Sequence, residues 1–321
     1  MAVIGLDLGG TKLAGALFDA TGNLLARRVE PLAKRQGHEV GALLIDMFRE
    51  LRAFAQTKKL EVTGVGAAVP GIASAHTGKV WAPNIPGWED YPLRDELKAA
   101  AGSKSCRVVV DSDRACSILG EQWKGAAQGC SHAVFLAVGT GIGAGILIDG
   151  QVLRGAQDIA GATGWMALDQ EFRDEYVSCG CFEYHASGEG IAKVARAMIA
   201  AETNHTGSLA SISPEKLTAH EVFAAYGQND PIARRTIESA IRAWGAAAAN
   251  FVSLFNPERI IFGGGVFGPA LRFLEDIRRE AEKWAQPISM RSVQIVGSKL
   301  GSDAALFGAG FLALQKGKAL R

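Results

Sequence analysis

No hydrophobic run in this 321-residue sequence approaches the ~20 residues of a membrane-spanning helix. We also expect no signal peptide, because a predicted strand begins at Ala2 with no basic segment before it. The 34 lysines and arginines nearly balance the 33 aspartates and glutamates, so the net charge of +1 provides no basic surface for nucleic acid or anionic membranes. The five cysteines are odd in number and are not spaced like a disulfide framework. We therefore expect a cytoplasmic protein with neither a membrane nor a nucleic-acid partner.

The length of the chain suits two domains. With a mass of 33.8 kDa and 48% hydrophobic residues, the chain can bury a core in each of two domains of ordinary size. We predict an N-terminal domain of residues 1–113, completed by a C-terminal helix over 302–321, and a larger C-terminal domain of residues 114–301. No low-complexity linker is present, so the two domains are expected to share an extensive cleft.

Two β-meanders of the same design are predicted in the sequence. Each has a strand, a Gly/Thr-rich turn, a second strand and a hairpin turn, and the Gly/Thr-rich turns are Asp7–Lys12 (DLGGTK) and Gly139–Gly143 (GTGIG). Glycines let the backbone turn tightly and approach a ligand, and successive N–H groups then form a concave site for an anion. Two such turns in duplicated half-domains predict a phosphate chain gripped from both sides. The predicted fold class is therefore α/β, the two-domain actin/hexokinase-like ATPase fold of duplicated ribonuclease H-like halves with an interdomain cleft.

Three Gly-rich turns supply the residues that we predict to bind ATP. The first turn offers backbone N–H groups, a hydroxyl and the Lys12 ammonium to a triphosphate, and Asp7 can hold Mg²⁺ through water. The third turn, Gly263–Gly265, follows a buried strand and could let the backbone lie flat against an adenine or a ribose. The alternative for the first turn alone is an ordinary β-turn that needs two glycines, and the alternative for Gly263–Gly265 is an ordinary strand-to-helix turn. The predicted ATP-binding residues are Asp7, Gly9, Gly10, Thr11, Lys12, Gly139, Thr140, Gly141, Gly264 and Gly265.

Asp113 is the candidate general base. It stands where a predicted strand gives way to a predicted helix, which is a usual location for catalytic side chains in α/β sheets. Phosphoryl transfer requires positioning, charge neutralisation and a carboxylate that orients or accepts the proton of the attacking hydroxyl. The alternative is that Asp113 is the N-cap of the helix, because aspartate and serine are both favoured at that position.

Four segments together resemble the ROK family of sugar kinases and sugar-responsive repressors over essentially the whole chain. They are Asp7–Lys12, Asn84–Trp88 (NIPGW), Asp113 followed by Gly120 and Glu121, and Gly139–Gly143 followed by Asp149, Gly150, Arg154 and Gly155. The resemblance implies ATP-dependent phosphorylation of a hexose or amino-hexose hydroxyl, with Asp113 as the base and the three Gly-rich turns as nucleotide contacts. It also implies a homodimer. Regulatory members of the family carry an N-terminal helix-turn-helix, for which we expect no room in this chain.

The resemblance also implies a set of sugar-binding positions, which are Gly71, Asn84, Ser112, Asp113, Trp165 and Glu183. Several positions depart from the family's pattern: Ser112 replaces an asparagine, and Ala162 and Trp165 replace a glutamate and a histidine. A lost carboxylate removes a hydroxyl contact of the kind that provides large discrimination between substrates. The indole adds an apolar face suited to stacking on a pyranose or to filling space. We therefore expect a substrate other than unmodified glucose.

The zinc-binding run of the family is shortened in this sequence to Cys179–Glu183 (CGCFE), and Trp165 replaces the histidine ligand. A structural zinc site usually has four protein ligands. His185 could supply a third ligand, but two cysteines and one histidine do not complete the site. We therefore predict no structural zinc and no other metal ligated by the protein's own side chains. We expect Cys181 to be a small packed thiol.

The predicted function is ATP-dependent phosphoryl transfer to a hydroxyl of a sugar or sugar derivative, which makes the protein a kinase of carbohydrate metabolism. The alternative is a catalytically weak or inactive sugar-binding or regulatory protein of the same fold without a DNA-binding domain. The intact Asp113, Lys12 and Gly-rich turns favour the kinase, whereas Ala162 and Trp165 favour the alternative.

Overall fold

The computed structural model describes residues 1–103, 105–169, 171–202 and 205–315. Its strands are β1 (Ala2–Leu8), β2 (Lys12–Asp19), β3 (Leu24–Pro31), β4 (Val62–Val69), β5 (Ile72–Ala73), β6 (Val80–Trp81), β7 (Arg107–Ser112), β8 (Ala133–Val138), β9 (Ile142–Ile148), β10 (Gln151–Val152), β11 (Arg259–Gly263) and β12 (Gln294–Gly297). Its helices are α1 (Gly37–Thr57), α2 (Leu93–Ala101), α3 (Asp113–Lys124), α4 (Cys181–Ala186), α5 (Gly188–Ala201), α6 (Ala219–Gly227), α7 (Pro231–Phe255), α8 (Leu274–Glu282), α9 (Pro287–Ser292) and α10 (Ala304–Leu314). This mixture of sheets and helices confirms the predicted α/β class. Across the described ranges, every helix is too short or too polar to span a membrane.

Two compact units make up the chain. The first unit contains Met1–Gly129, Val152–Ala160 and Lys299–Arg321, and the second unit contains Cys130–Gln151 and Gly161–Ser298. Each unit has a five-stranded sheet of its own. Helix α3, which the sequence placed at the start of the second domain, belongs to the first unit, where it packs along α10.

The sheet of the first unit has the strand order β3-β2-β1-β4-β7. Strands β1, β2 and β3 form the predicted antiparallel meander, and β1, β4 and β7 run parallel to one another. Asp7 of β1 lies beside Ala68 of β4, and Ala68 lies beside Asp111 of β7. Because the carboxyl ends of parallel strands meet at one edge of a sheet, the Asp7–Lys12 turn and the start of α3 share that edge.

Helices cover both faces of this first sheet. On one face α1 and α2 bury Leu44, Phe48 and Leu97 in an apolar core with the strands. On the other face α10 lies so close to β4 that a Cβ at Gly66 would come within 1.9 Å of the Ala309 carbonyl oxygen. A side chain larger than hydrogen at Gly66 would therefore displace α10 from the sheet.

The predicted C-terminal helix is observed as α10, which ends at Leu314. A 3₁₀ turn over Gly301–Asp303 precedes it, so the regular helix begins two residues later than the predicted start at Ser302. The remainder of the predicted range, 316–321, lies outside the described residues.

The sheet of the second unit has the strand order β10-β9-β8-β11-β12. Strands β8 and β9 pair antiparallel, as the second meander predicts, and β11 runs parallel to both β8 and β12. Helix α7 covers this sheet and is well capped, since the Asp230 carboxylate accepts 2.9 Å hydrogen bonds from the N–H groups of Ile232 and Ala233. It ends where Asn256 adopts a left-handed conformation, and its Trp244 is fully buried in the core.

Candidate active site

Acidic side chains come together at the carboxyl edge of the first sheet. The pKa of Asp7 is raised to about 7, mainly by burial and also by the negative charges of Asp113 and Asp303, while the Lys12 ammonium opposes the shift. These four side chains are therefore close enough to interact electrostatically, and three of them, Asp7, Lys12 and Asp113, are predicted site residues. Asp303 was not predicted, because it falls inside the predicted helix over 302–321 and belongs to no motif in the sequence. It also forms a 2.9 Å ion pair with Arg27.

The structure assigns the capping role at the start of α3 to Ser112 and not to Asp113. The Ser112 hydroxyl oxygen accepts a 3.2 Å hydrogen bond from the N–H of Ala115, and the side chain is buried. Asp113 Oδ1 accepts a 2.8 Å hydrogen bond from the N–H of Arg114, while Oδ2 takes no hydrogen bond from any residue in the described ranges. Burial raises the pKa of Asp113, and the positive charge of Arg114 partly opposes this. The Asp113 carboxylate thus keeps a free oxygen and an increased affinity for a proton.

A buried ion pair supports the strand end that carries Asp113. Arg154 donates two hydrogen bonds to Asp111, of 2.8 Å from Nη1 to Oδ1 and 2.6 Å from Nη2 to Oδ2. Asp111 Oδ1 also accepts a 2.8 Å hydrogen bond from the N–H of Ser112, and Asp111 is 2% exposed. Arg154 was noted in the sequence only as part of the family resemblance, and its partner Asp111 was not predicted. The pair fixes the backbone immediately before Asp113.

Asn84 lies against the first Gly-rich turn. The turn is closed by a 2.9 Å hydrogen bond from the N–H of Gly9 to the carbonyl oxygen of Lys12. A Cβ at Gly10 would lie 3.3 Å from Nδ2 of Asn84, so the turn and the Asn84 loop are in close contact. Trp88 anchors that loop, because it is fully buried and its ring stacks on another aromatic ring. The structure therefore brings a predicted sugar-binding residue to a predicted phosphate-binding turn.

Gly71 lies near the start of α3, where its carbonyl oxygen accepts a 3.2 Å hydrogen bond from Nη2 of Arg114. Its φ of 91° is in the left-handed region, and a Cβ there would lie 2.2 Å from the carbonyl oxygen of Trp81. Glycine is required at this position by both the backbone conformation and the space available.

In the second unit the two remaining Gly-rich turns also meet at one sheet edge. Gly264, with φ of 88°, lies so close to the end of β8 that its Cβ would be 2.4 Å from the carbonyl oxygen of Val138. Val138 directly precedes the Gly139–Gly141 turn. These two predicted nucleotide-binding turns therefore form one backbone surface, and Thr140 is exposed on it.

Glu183 binds the backbone beside that surface. Its Oε2 accepts a 2.7 Å hydrogen bond from the N–H of Ile142, and a Cβ at Gly141 would lie 2.6 Å from the same oxygen. A Cβ at Gly164 would lie 2.9 Å from it, so the chain next to Trp165 is close to Glu183. Burial raises the pKa of Glu183. Trp165 itself is 58% exposed, which leaves its indole accessible to a ligand.

The three candidate zinc ligands, Cys179, Cys181 and His185, differ in their partners and in their exposure. Nε2 of His185 shares a 2.7 Å hydrogen bond with the Tyr176 hydroxyl, and burial lowers the pKa of His185. Cys181 is buried and Cys179 is partly exposed. Within residues 1–103, 105–169, 171–202 and 205–315, the acidic, cysteine and histidine side chains form no group of three or more placed to hold a metal ion.

We expect the purified protein to carry no stoichiometric zinc, because Trp165 occupies the position of a histidine ligand and only two cysteines remain nearby. Elemental analysis checks the metal content, and circular dichroism with and without EDTA checks whether a chelator unfolds the chain. One tightly held zinc per chain would contradict the prediction and would point to Cys179, Cys181 and His185 as its ligands.

Known proteins similar to this chain include kinases and a repressor. The family model described as the ROK family matches residues 3–316. A glucokinase from Halalkalibacterium halodurans is 32% identical over 324 residues, covering 98% of this chain and 95% of that protein. A xylose repressor from Caldicellulosiruptor bescii is 28% identical over 313 residues, covering 96% of this chain and 76% of the repressor. The crystal structure of a ROK family glucokinase from Streptomyces griseus, in complex with glucose and AMPPNP, has a TM-score of 0.75 at 28% identity and covers 97% of this chain and 99% of that one.

Proposed function

This chain belongs to the ROK family and has its actin/hexokinase-like fold, and we propose that it transfers the γ-phosphoryl group of ATP to a hydroxyl of a sugar or sugar derivative. The observation that carries the proposal is Asp113, which has a raised pKa and one carboxylate oxygen without a hydrogen-bond donor among the described residues. The similarity to a glucokinase, and to a structure holding glucose and AMPPNP, supports both the sugar and the nucleotide.

In the proposed reaction Asp113 accepts the proton of the sugar hydroxyl. The hydroxyl oxygen forms a bond to the γ-phosphorus, the bond from that phosphorus to its bridging oxygen breaks, and ADP leaves with the electron pair. Lys12 and the N–H groups of the Gly9–Lys12 turn would neutralise charge on the phosphates. The turns Gly139–Gly141 and Gly264–Gly265 offer further backbone donors to the nucleotide. Because burial raises its pKa, Asp113 is a stronger base than an exposed aspartate.

The residues at the first sheet edge fit a Mg²⁺ ion delivered with ATP. Protein Mg²⁺ sites commonly use one or two carboxylates together with substrate phosphates and water. Burial raises the pKa of Asp7 most, and the charges of Asp113 and Asp303 add to the shift, which Lys12 opposes; a divalent cation nearby would favour the ionised form of Asp7. Asp7 is therefore the residue proposed to hold the ion through water. When bound, the ion would supply positive charge that offsets the negative charge of the phosphates.

The residues proposed to contact the sugar are Gly71, Asn84, Ser112, Asp113, Trp165 and Glu183. With Ala162 and Trp165 in place of a carboxylate and an imidazole, we expect unmodified glucose to be a poor substrate. Each lost charge-assisted hydrogen bond corresponds to roughly ten- to a hundredfold in discrimination. A coupled ADP-release screen across hexoses, amino sugars and polyols measures this. A kcat/KM for glucose of about 10⁴ M⁻¹s⁻¹ or more, typical of metabolic enzymes, would refute it.

The double variant Ala162→Glu with Trp165→His should shift the preference in that screen toward common hexoses. Trp165 is exposed, so its replacement is not expected to disturb the core. Replacement of Trp284, which is 70% exposed, by histidine is a matched control and should leave the substrate profile unchanged.

The similarity to a xylose repressor favours one other function, a regulatory sugar-binding protein without turnover. The ADP-release screen, together with calorimetry of sugar binding, separates the kinase from the regulatory protein. Sugar binding by calorimetry without ADP release from any acceptor would support the regulatory protein, whereas ADP release would support the kinase.

A further inference from the structure

A cavity in the first unit is lined by three segments that are separate in the sequence. Its volume is about 500 Å³, and it is lined by Gly10 and Thr11, by Asn84–Pro86 and by Leu32–Gln36, the connection between β3 and α1. Asn84 is proposed to contact the sugar and Gly10 to contact ATP. Nothing in the sequence indicated that Leu32–Gln36 takes part in binding.

The charged side chains that the described residues contribute to this cavity are both cationic, and they belong to Lys34 and Arg35. Both residues are exposed, and neither forms an ion pair with a residue in the described ranges. Nη1 of Arg35 donates hydrogen bonds to the carbonyl oxygens of Pro31, at 3.0 Å, and Leu32, at 3.2 Å, which hold this side chain against its own loop. Arg35 is therefore committed to its own loop, and the Lys34 ammonium is the cationic group of the cavity that has neither an ion pair nor a hydrogen bond within the described residues.

The backbone of this cavity wall adopts a conformation that residues with a Cβ disfavour. Ala33 and Lys34 are consecutive, and their φ angles of 46° and 67° are both in the left-handed region. Glycine would adopt these angles without a steric penalty. Backbone strain of this kind occurs preferentially at functional sites such as ligand clamps. This observation adds to the arguments from the shape and the charge of the cavity, and Lys34 is the residue that it shares with the argument from charge.

We propose that this cavity receives a negatively charged substituent, a phosphate or a carboxylate, of the acceptor sugar, and that Lys34 contacts it. The inference rests on the proposed function and narrows its substrate class to anionic sugars. An ammonium without a carboxylate partner binds an oxyanion through charge-assisted hydrogen bonds. The Asn84 amide, in the same cavity, offers both donors and an acceptor for neutral hydroxyls of the sugar. The phosphates of ATP are the other anions that could reach Gly10 and Lys34, so the experiment separates donor from acceptor.

The experiment compares anionic sugars with their neutral parents on the full chain. The probes are the 1-phosphates, 6-phosphates and uronates of glucose, mannose and galactose, each against the parent hexose. Calorimetry measures binding, and a coupled assay measures ADP release and the KM for ATP. The variants are Lys34→Gln and, as a matched control, Lys59→Gln, because Lys59 is also an exposed lysine with a left-handed φ, of 56°, and lies outside the cavity lining.

At least one anionic sugar should bind about tenfold more tightly than its parent hexose, or better. The variant Lys34→Gln should lose that preference with an unchanged KM for ATP, and Lys59→Gln should keep it. The preference should also weaken with added salt. The proposal is overturned if no anionic sugar binds more tightly than its parent, or if Lys34→Gln raises the KM for ATP and leaves sugar binding unaffected.

Binding and turnover also test the two proposals separately. A preference for anionic sugars that Lys34→Gln removes, without ADP release from any sugar, would support the cavity proposal and refute the kinase. ADP release from neutral sugars without any anionic preference would support the kinase and refute the cavity proposal.

Discussion

Replacing Asp113 by asparagine should lower ADP release on the best substrate by about 10²–10⁴-fold while ATP still binds. The amide is nearly isosteric with the carboxylate and can still accept the hydrogen bond from the N–H of Arg114. It cannot accept the proton of the attacking hydroxyl. Single-turnover kinetics and ATP titration check the two parts of this prediction. Asp174→Asn, at an exposed aspartate of the second unit, is the control and should behave as the wild type.

The pH profile gives a second measure of the same residue. Since burial raises the pKa of Asp113, and the pKa of Asp7 is about 7, both groups become protonated above the usual carboxylate range near ~4. Protonation of Asp113 removes the base, and protonation of Asp7 removes the carboxylate proposed to hold Mg²⁺. Because the pKa of Asp7 is about 7, kcat/KM should fall as the pH decreases below neutrality. Retention of more than about a tenth of wild-type turnover by Asp113→Asn, against the expected general-base effect, would show that another group is the base.

Replacing Arg154 by methionine should lower the free energy of unfolding by about 3–5 kcal/mol, since it leaves the Asp111 carboxylate buried without its partner. The two side chains are 14% and 3% exposed, so water cannot replace the two lost hydrogen bonds. ADP release should fall as well, because Asp111 holds the N–H of Ser112 immediately before Asp113. Urea unfolding followed by circular dichroism measures the change in stability.

A double variant isolates the effect of the buried charge. Asp111→Asn combined with Arg154→Met removes the uncompensated carboxylate, and it should be more stable than Arg154→Met alone. Arg49→Met is the control for losing an exposed ion pair, since Arg49 and Asp46 are 64% and 65% exposed, and it should change stability by less than about 1 kcal/mol. A loss of that small size for Arg154→Met would mean that the buried pair does not stabilise the first unit.

Local signals explain which parts of the fold could be predicted from the sequence. The strands beside the Gly-rich turns and the helix after Asp113 depend on short apolar runs, glycines and caps within a few residues, and the structure confirms them. The role of the Ser112–Asp113 dipeptide could not be decided in the same way, because both residue types are favoured as N-caps. Only the hydrogen bond from the N–H of Ala115 to Ser112 shows which residue is the cap.

The sequence by itself determined the α/β class, the two meanders, the family resemblance and the candidate base, because each depends on residues that are close together in the chain. Only the tertiary structure decided the partners of these residues: Arg154 beside Asp111, Asp303 near Asp7, and Lys34 in the cavity lined by Asn84. The physical reason is that each of these contacts joins strand ends or loops that are far apart in the chain. They come together because of the order of the strands in the sheet. That order is set by packing across the whole unit, and no local pattern of residues encodes it.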